Sequence, residues 1–365
     1  MTSTNTLDTI YAPLPLLDPA VAQEVRARWA GKTKPLGSLG DLEALAMQVA
    51  QIQNCNTPAL AETHVLVFAG DHGAARDGVS AYPQDVTWQM VMNFLGGGAA
   101  ISVLARELGC GLTVVDAGVN HAFDASPGLL DLKVAQGTSS YLQAPAMNPQ
   151  QCAQALAAGH TLAGRMSADC LLLGEMGIGN TASASLLMHH LTGVPLAECV
   201  GPGTGLDTAG VARKLDLLTR ATRHHALRVG RLDAEEQAHG NVPDEALALL
   251  ATFGGFEIAM LVGCIIGAVQ ARKVVVVDGF IVGAAVLVAK CLHPDIAAHL
   301  VFAHESAEPA HQRMLAALGA RPLLQLGLRL GEGSGAAMAL PLLRLALSLL
   351  ANMATFESAQ VSQAV

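Results

Sequence analysis

Aromatic and charged residues are both scarce in this chain of 365 residues. Aromatic residues make up 4% of it and charged residues 14%, whereas 52% of the residues are hydrophobic. With so few rings available, a large core has to be built from closely packed alanine, leucine, valine and glycine. The formal charge is −9, which argues against nucleic-acid binding because that function needs a basic surface. A phosphorylated small molecule needs only local positive charge and is not excluded.

Long apolar runs are missing as well. The uncharged apolar candidates for a membrane span, 258–271 and 279–289, hold about 14 and 11 residues, whereas a membrane-spanning helix needs roughly 20. Both are better explained as helices buried against a sheet. The polar N-terminus contains no apolar signal core. We therefore expect a cytoplasmic protein without a membrane partner.

The seven cysteines form an odd, scattered set. Their spacing contains neither a CxxC redox motif nor a pair suited to a zinc knuckle, and free cysteine in apolar surroundings behaves as a small hydrophobic residue. This usage suits a reducing compartment. His72 and His304 also lack the spacing of metal ligands, so no metal site is expected.

Five short apolar runs form the most informative pattern that is present. Each is followed by glycine, acids or histidine, such as Asp71, Asp116 and Asp278, and the runs occupy residues 64–69, 112–115, 170–173, 274–277 and 300–303. Such runs are typical of buried parallel strands, and their alternation with helical stretches predicts right-handed βαβ units. The expected fold is α/β, an open parallel sheet flanked by helices. Because ligands bind at the carboxyl ends of such strands, the pattern indicates an enzyme.

Helical periodicity dominates both ends of the chain. We expect residues 1–60 and 336–365 to form a small helical domain. Beside it, residues 61–335 would form the parallel α/β domain that carries the active site. The polar segment 233–243 is expected to be an exposed connection between two helices.

A glycine-rich turn follows the third apolar run. Residues 174–185 read GEMGIGNTASAS and lead into a helix rich in small residues. Exposed backbone N–H groups at the start of a helix bind anions, and Thr181 is suited to be the N-cap. A tight turn can need glycine for its geometry alone, but such a turn gains nothing from a carboxylate such as Glu175. The segment therefore favours a functional role.

Two further segments carry candidate residues. The loop VGPGTG at 200–205 precedes a helix with Lys214, which suits a phosphate cradle, although a solvated lysine on a surface helix explains this segment at least as well. Residues 328–335 read LRLGEGSG, where Glu332 stands between two glycines and is open to a ligand. Because a helix begins just after it, we expect the helix dipole to keep Glu332 ionised. The alternative is a first-turn acid that only stabilises its helix.

Together these segments resemble the family of nicotinate-nucleotide–dimethylbenzimidazole phosphoribosyltransferases. The resemblance covers nearly the whole chain, from KPLGSLG at 34–40 to LRLGEGSGAA at 328–337. Between them lie further matching segments, which are AGDHGAARDGVSAYPQ at 69–84, GEMGIGNT at 174–181, GGFE at 254–257, VDGF at 277–280 and SAE at 306–308. The resemblance implies a six-stranded parallel sheet with a small helical domain, in a homodimer that uses no cofactor or metal. It also implies transfer of the phosphoribosyl group of nicotinate mononucleotide to 5,6-dimethylbenzimidazole, which gives α-ribazole 5′-phosphate and nicotinate.

The resemblance further implies roles for individual residues. Glu332 corresponds to the general base that takes the proton of the attacking base, and Glu175 corresponds to a second active-site glutamate. The remaining positions are phosphate and ribose contacts, at Gly177, Thr181, Gly203, Lys214 and Ser306, and the pocket for the aromatic base, at Tyr82, Gln89, Met176 and Leu330.

Other functions stay open at this point. Some relatives carry a smaller residue at the position of Tyr82, so adenine, another benzimidazole or a phenol is an alternative acceptor. A nucleotide-binding regulatory protein would keep the phosphate site, but it would not require both Glu175 and Glu332. A dehydrogenase is disfavoured because no GxGxxG motif follows the first strand.

Overall fold

The computed structural model describes residues 7–203, 205–230, 232 and 242–362. Its α-helices are α1 (Pro19–Ala30), α2 (Asp41–Gln53), α3 (Val86–Leu95), α4 (Ala100–Glu107), α5 (Pro149–Arg165), α6 (Asn180–Thr192), α7 (Leu196–Cys199), α8 (Thr208–His225), α9 (Val242–Phe253), α10 (Phe256–Gln270), α11 (Phe280–Leu292), α12 (His311–Leu318) and α13 (Ser334–Asn352). Its strands are β1 (Thr63–Gly70), β2 (Gly111–Gly118), β3 (Leu129–Asp131), β4 (Cys170–Met176), β5 (Val274–Val277) and β6 (Leu300–Phe302). The expected connection at 233–243 lies outside the described residues except for its last two positions.

The described strands form one six-stranded sheet in the order β3-β2-β1-β4-β5-β6, and every neighbouring pair is parallel. The predicted α/β fold and all five strands predicted from the apolar runs are confirmed. Strand β3 has only three residues, Leu129–Asp131, at the edge of the sheet. It was missed because so short an edge strand leaves no apolar run. The strand order reverses between β1 and β4, which is where open sheets of this kind form a crevice.

Alternate side chains of the central strands enter two separate hydrophobic cores. In β1, Leu66 and Phe68 join a core with α5, α6, α10 and α11. Val65 and Val67 join a second core with α1, α2, α4 and α13. Successive side chains of a strand point to opposite faces, so both faces of the sheet are covered by helices. This explains why the strands are continuously apolar rather than alternating.

Glycine replaces larger side chains where α5 packs on α10. A Cβ atom on Gly159 would collide with the carbonyl oxygen of Met260, and one on Gly263 would collide with that of Leu156. The two backbones therefore lie in direct contact, which is how a chain with few aromatic residues fills its core. Helices α10 and α11 are buried along nearly their whole length, as expected for the two apolar stretches that were too short to span a membrane.

The two ends of the chain meet on one face of the sheet. Helix α2 contacts both α1 and α13, and Nζ of Lys32 donates to the carbonyl oxygen of Met353 at 2.6 Å. The core that they share also includes residues of β1 and β4. The division into a helical domain of residues 1–60 and 336–365 and an α/β domain of residues 61–335 stays a prediction.

Two helical stretches of the described residues are long and apolar enough to be candidate membrane spans by length and composition alone. Val86–Glu107 consists of α3 and α4, separated by a turn in which Gly97 has a φ of +79°. Helix α13 packs one face into the core through Ala336 and Leu340. The buried helices of a soluble protein can have the same length and apolar composition, so these two stretches are only weak evidence for a membrane protein.

Candidate active site

A cleft opens at the carboxyl ends of β4, β5 and β6, at the sheet edge where the sequence predicted a ligand site. The empty space between its walls, open solvent included, is about 630 Å³. Loop and strand-end residues line it, namely Glu175, Met176, Gly177, Ile178, Asn180, Thr181, Gly203, Asp278, Gly279, Phe280, Ile281, Val282, His304, Ser306, Glu308, Arg329, Leu330 and Gly331.

Glu175 stands next to the end of β4 and is almost fully buried. The side-chain amide of Asn180, the first residue of α6, donates a hydrogen bond to its Oε2. Burial, together with nearby carboxylates of which Asp278 is the strongest, raises the pKa of Glu175 to about 8. The carboxyl group is therefore largely protonated at neutral pH, and a nearby positive charge would lower its pKa again.

Glu332 lies on a strained loop just before α13. Gly331, Glu332 and Gly333 have φ angles of +83°, +64° and +85°. Positive φ is uncommon for a residue with a side chain, and it persists where the surroundings hold it in place. The loop passes close to β4, because a Cβ atom on Gly174 would collide with the backbone of Glu332 and one on Gly331 would collide with Oε1 of Glu175. These glycines allow the loop of Glu332 to pack directly against the end of β4, where Glu175 lies.

The carboxyl group of Glu332 is buried, and within the described part of the chain its Oε2 has no hydrogen-bond partner. Burial raises the pKa of Glu332, the charge of Asp278 adds to the effect, and a backbone hydrogen bond from Ile101 at the start of α4 opposes it. Helix α13 begins at Ser334, two residues after Glu332. The expectation that the dipole of this helix keeps Glu332 ionised stays a prediction. A raised pKa makes the ionised carboxylate a stronger proton acceptor.

A buried lysine lies beside the glycine loop that precedes α8. Lys214 is 1% exposed, and its Nζ donates to Oγ1 of Thr181 at 3.1 Å and to the carbonyl oxygen of Gly201 at 3.3 Å. The alternative of a solvated surface lysine is thereby excluded. Burial lowers the pKa of Lys214 to about 8, although the carboxylate of Glu308 favours its charged form. An ammonium has three donors, and two of them have partners among the described residues; Lys214 itself does not belong to the described lining of the cleft but adjoins it through Thr181.

Thr181 is not the N-cap that the sequence indicated. Helix α6 begins one residue earlier, at Asn180, and Gly179 occupies the cap position with a φ of +99°. The hydroxyl of Thr181 instead accepts the hydrogen bond from Lys214. The prediction that this hydroxyl contacts a phosphate is compatible with that position, because Thr181 lines the cleft.

Gly177, Gly203 and Ser306, the other predicted phosphate contacts, also line the cleft. Gly203 has a φ of +57°, and a Cβ atom there would come within 3.0 Å of the Thr181 hydroxyl. The N–H of Ser306 donates to Nδ1 of His311 at 2.8 Å, which fixes the loop after β6. Four of the predicted phosphate residues thus share one cleft, and Lys214 contacts its wall through Thr181. Their contact with a phosphate stays a prediction.

The predicted pocket for the aromatic base is only partly gathered. Met176 and Leu330 line the cleft. The side chain of Tyr82 is 49% exposed, Gln89 lies on α3, and neither lines the cleft as far as the described residues form it. Their contact with the acceptor stays a prediction.

A buried ion pair behind the Gly177 turn was missed by the sequence reasoning. Nε2 of His72 lies 2.6 Å from Oε1 of Glu257, and both side chains are almost completely buried. Ser183 on α6 contacts the other ring nitrogen of His72 at 3.0 Å. The only signals were the position of His72 after β1 and the GGFE segment, and neither reveals that the two meet.

Residues 14–361 match the model of a protein family described as phosphoribosyltransferase. A nicotinate-nucleotide–dimethylbenzimidazole phosphoribosyltransferase of Dechloromonas aromatica is 56% identical to this chain over 91% of its length and 92% of the relative. The protein of that name from Aromatoleum aromaticum is 51% identical, with 96% and 98% covered. The crystal structure of a phosphoribosyltransferase of this name from Thermus thermophilus superposes with a TM-score of 0.85 at 41% identity, over 95% of this chain and 100% of that one.

Proposed function

The chain belongs to the family of nicotinate-nucleotide–dimethylbenzimidazole phosphoribosyltransferases, and from this premise we propose that it transfers the phosphoribosyl group of nicotinate mononucleotide to 5,6-dimethylbenzimidazole. The products are nicotinate and α-ribazole 5′-phosphate, which supplies the lower ligand of cobalamin. The observation that carries the proposal is the combination of a buried cation, Lys214, with two buried glutamates at the same sheet edge, Glu175 near the end of β4 and Glu332 on the loop beside it.

The phosphate of the nucleotide binds where Lys214, Thr181, Gly203 and Ser306 come together. The third donor of the Lys214 ammonium is directed to a phosphate oxygen, and the hydroxyl groups and the backbone N–H of Gly177 supply further donors. The N-terminal end of α6 adds its partial positive charge. The phosphate end of the cleft thus binds the substrate, whereas the reacting atoms lie at the end with the two glutamates.

Glu175 responds to the charge of the substrate. Nicotinate mononucleotide carries a positively charged pyridinium nitrogen, and positive charge develops on the sugar as the bond from that nitrogen to the anomeric carbon breaks. Since burial keeps Glu175 largely neutral beforehand, the arriving cation lowers its pKa and favours the carboxylate form. The negative charge therefore appears where the transition state needs it.

Glu332 accepts the proton of the acceptor base. The unprotonated nitrogen of 5,6-dimethylbenzimidazole attacks the anomeric carbon, which makes the N–H on the other ring nitrogen acidic. The carboxylate takes this proton, and the electrons of the breaking bond neutralise the pyridinium ring of the departing nicotinate. No acid is needed on the leaving group. Attack from the face opposite to nicotinate inverts the sugar from β to α.

We propose in addition that the enzyme is a cytoplasmic homodimer that needs no cofactor or metal. All seven cysteines are free thiols, which suits a reducing compartment. The homodimer itself is carried over from the family resemblance. Light scattering after size-exclusion chromatography measures the oligomeric state directly, and a monomer would contradict the dimer.

The reaction can be tested with the purified protein. Incubation with nicotinate mononucleotide and 5,6-dimethylbenzimidazole should release equal amounts of nicotinate and α-ribazole 5′-phosphate, measured by liquid chromatography with mass spectrometry, and NMR should show the α anomer. Parallel reactions with adenine, benzimidazole and a phenol measure the acceptor preference. Equal rates for all acceptors would remove dimethylbenzimidazole as the specific one, and binding of the nucleotide without any ribosylated product would refute the proposed reaction.

A further inference from the structure

Asp278 joins the end of β5 to the loop that carries Glu332. Its Oδ2 accepts the N–H of Gly333 at 3.1 Å, and its Oδ1 accepts the N–H of Ala336 at 3.0 Å. Gly333 directly follows Glu332, and Ala336 lies in the first turn of α13. One carboxylate therefore fixes both the loop and the helix that follows it.

This attachment acts where the backbone is most strained. The three successive residues with positive φ, 331–333, place a glutamate in a conformation that side chains rarely adopt. Such conformations persist only where neighbouring groups hold them. Asp278 is 2% exposed, so water competes little with its hydrogen bonds, and hydrogen bonds to an ionised acceptor are the stronger kind.

The charge of Asp278 also acts on both glutamates. Among the neighbouring charges it is the strongest in raising the pKa of Glu175, and it raises the pKa of Glu332 as well. From the loop after β6, His304 faces it with Nε2 at 3.5 Å from Oδ1, and the ring of His311 on α12 lies 6.2 Å from that of His304. Glu175, Glu332 and His304 are thus titratable neighbours of Asp278 in the described structure, and His311 packs behind His304.

We propose that Asp278 is a positioning residue for phosphoribosyl transfer, which holds the strained loop of Glu332 in place and keeps a negative charge close to both glutamates. The inference rests on the proposed function, because it assumes that Glu332 is the base. Asp278 itself is assigned no proton transfer. Its two hydrogen bonds and its charge are separable contributions, and different substitutions remove them.

Two substitutions and a control test the proposal. Asp278→Asn keeps one oxygen acceptor and removes the charge, whereas Asp278→Ala removes the charge and both hydrogen bonds. Asp116→Asn is the matched control, because Asp116 is also buried near the end of a strand and accepts a backbone N–H, from Val119 at 2.9 Å, but it does not belong to the described lining of the cleft.

We expect Asp278→Asn to lower kcat by about 10- to 100-fold with little change in the KM for nicotinate mononucleotide. The rising acidic limb of its pH–rate profile should move to lower pH, because a charge that raises the pKa of Glu332 has been removed. Asp278→Ala should lose more activity and exchange the amide hydrogens of Gly333 and Ala336 faster. The control should show neither effect.

An acidic limb that stays in place in Asp278→Asn would overturn the role of the charge. If the amide hydrogen of Gly333 exchanges at the wild-type rate in a folded Asp278→Ala protein, the positioning role is overturned. If the alanine variant does not fold, the same exchange rate is measured in Asp278→Asn. Amide exchange needs no substrate, so its result is independent of the reaction. Absence of wild-type turnover would count against the proposed function instead.

Discussion

The substitution Lys214→Met isolates the phosphate end of the site. Methionine keeps an unbranched, flexible side chain in the buried position, but it cannot donate the hydrogen bonds that Lys214 makes to Thr181 and Gly201. It also removes a donor that carries a full positive charge at this position. The affinity for nicotinate mononucleotide should therefore fall while the glutamates stay intact.

The magnitude follows from the type of contact that is lost. A hydrogen bond to a charged group contributes about 1.5–3 kcal/mol, and about 1.4 kcal/mol corresponds to a factor of ten. The KM for nicotinate mononucleotide should thus rise by about 10- to 150-fold. The value of kcat should change much less, because the phosphate is held equally in the ground state and in the transition state.

The wild-type enzyme adds a pH signature. Burial lowers the pKa of Lys214 to about 8, so the lysine is charged below that pH and loses its charge above it. The KM for the nucleotide should therefore rise with pH on the alkaline side, and this dependence should be absent in Lys214→Met. The bound phosphate favours the ammonium, so the limb lies at higher pH in the complex.

Steady-state kinetics with varied nucleotide, measured across neutral and alkaline pH, provide the assay. Lys290→Met is the matched control, since Lys290 on α11 donates to the carbonyl oxygen of Ala317 at 2.9 Å outside the described lining of the cleft. A KM within about twofold of wild type in Lys214→Met would refute the assignment of the phosphate site. An alkaline limb that persists in this variant would refute the role of the lysine charge.

Two further predictions concern the glutamate side of the cleft. Gly331→Ala should lower kcat strongly, because the added Cβ would collide with Oε1 of Glu175. Gly327→Ala is the control, because Gly327 also has a positive φ, +67°, but a Cβ there would meet no atom of the described residues within 4 Å. The control should keep its kcat and lose only about 1–2 kcal/mol of stability in thermal denaturation. Equal activity of the two variants would disprove the contact. Glu175→Gln should bind nicotinate mononucleotide about as well as wild type at neutral pH, since the wild-type carboxyl is largely protonated there, but it should turn over more slowly because an amide cannot ionise. Infrared difference spectra of the substrate-free wild type against this variant should show that the carboxyl group of Glu175 is protonated at neutral pH. An ionised Glu175 in the substrate-free enzyme would contradict the account.

The sheet could be predicted from the sequence because its strands are buried on both faces. Runs such as 170–173 and 274–277 are then continuously apolar, and the glycines and acids after them mark the strand ends. Strand β3 could not be found in this way, because a three-residue edge strand buries too little to leave a pattern. The close approach of α5 and α10 through Gly159 and Gly263 could not be predicted either, because it depends on two segments that are far apart in sequence.

The candidate site was predictable where a local motif carried it. Glu175 and Glu332 stand in glycine-rich segments whose spacing is visible in the sequence. The burial of Lys214 was not predictable, because a lysine on a helix does not reveal which face it occupies. The upward shift of the pKa of Glu332 was not predictable for a related reason. The dipole of a neighbouring helix is a local property, whereas desolvation depends on every element packed around the residue.

The central claim is that Glu332 accepts the proton of the incoming base, and Glu332→Gln tests it most directly. Glutamine has nearly the same shape and cannot act as the base, so nicotinate mononucleotide should still bind in calorimetric titrations while kcat falls by about 10²–10⁴-fold. Glu305→Gln, at a glutamate outside the described lining of the cleft, should keep wild-type kcat. A Glu332→Gln enzyme that turns over at nearly the wild-type rate would contradict the account.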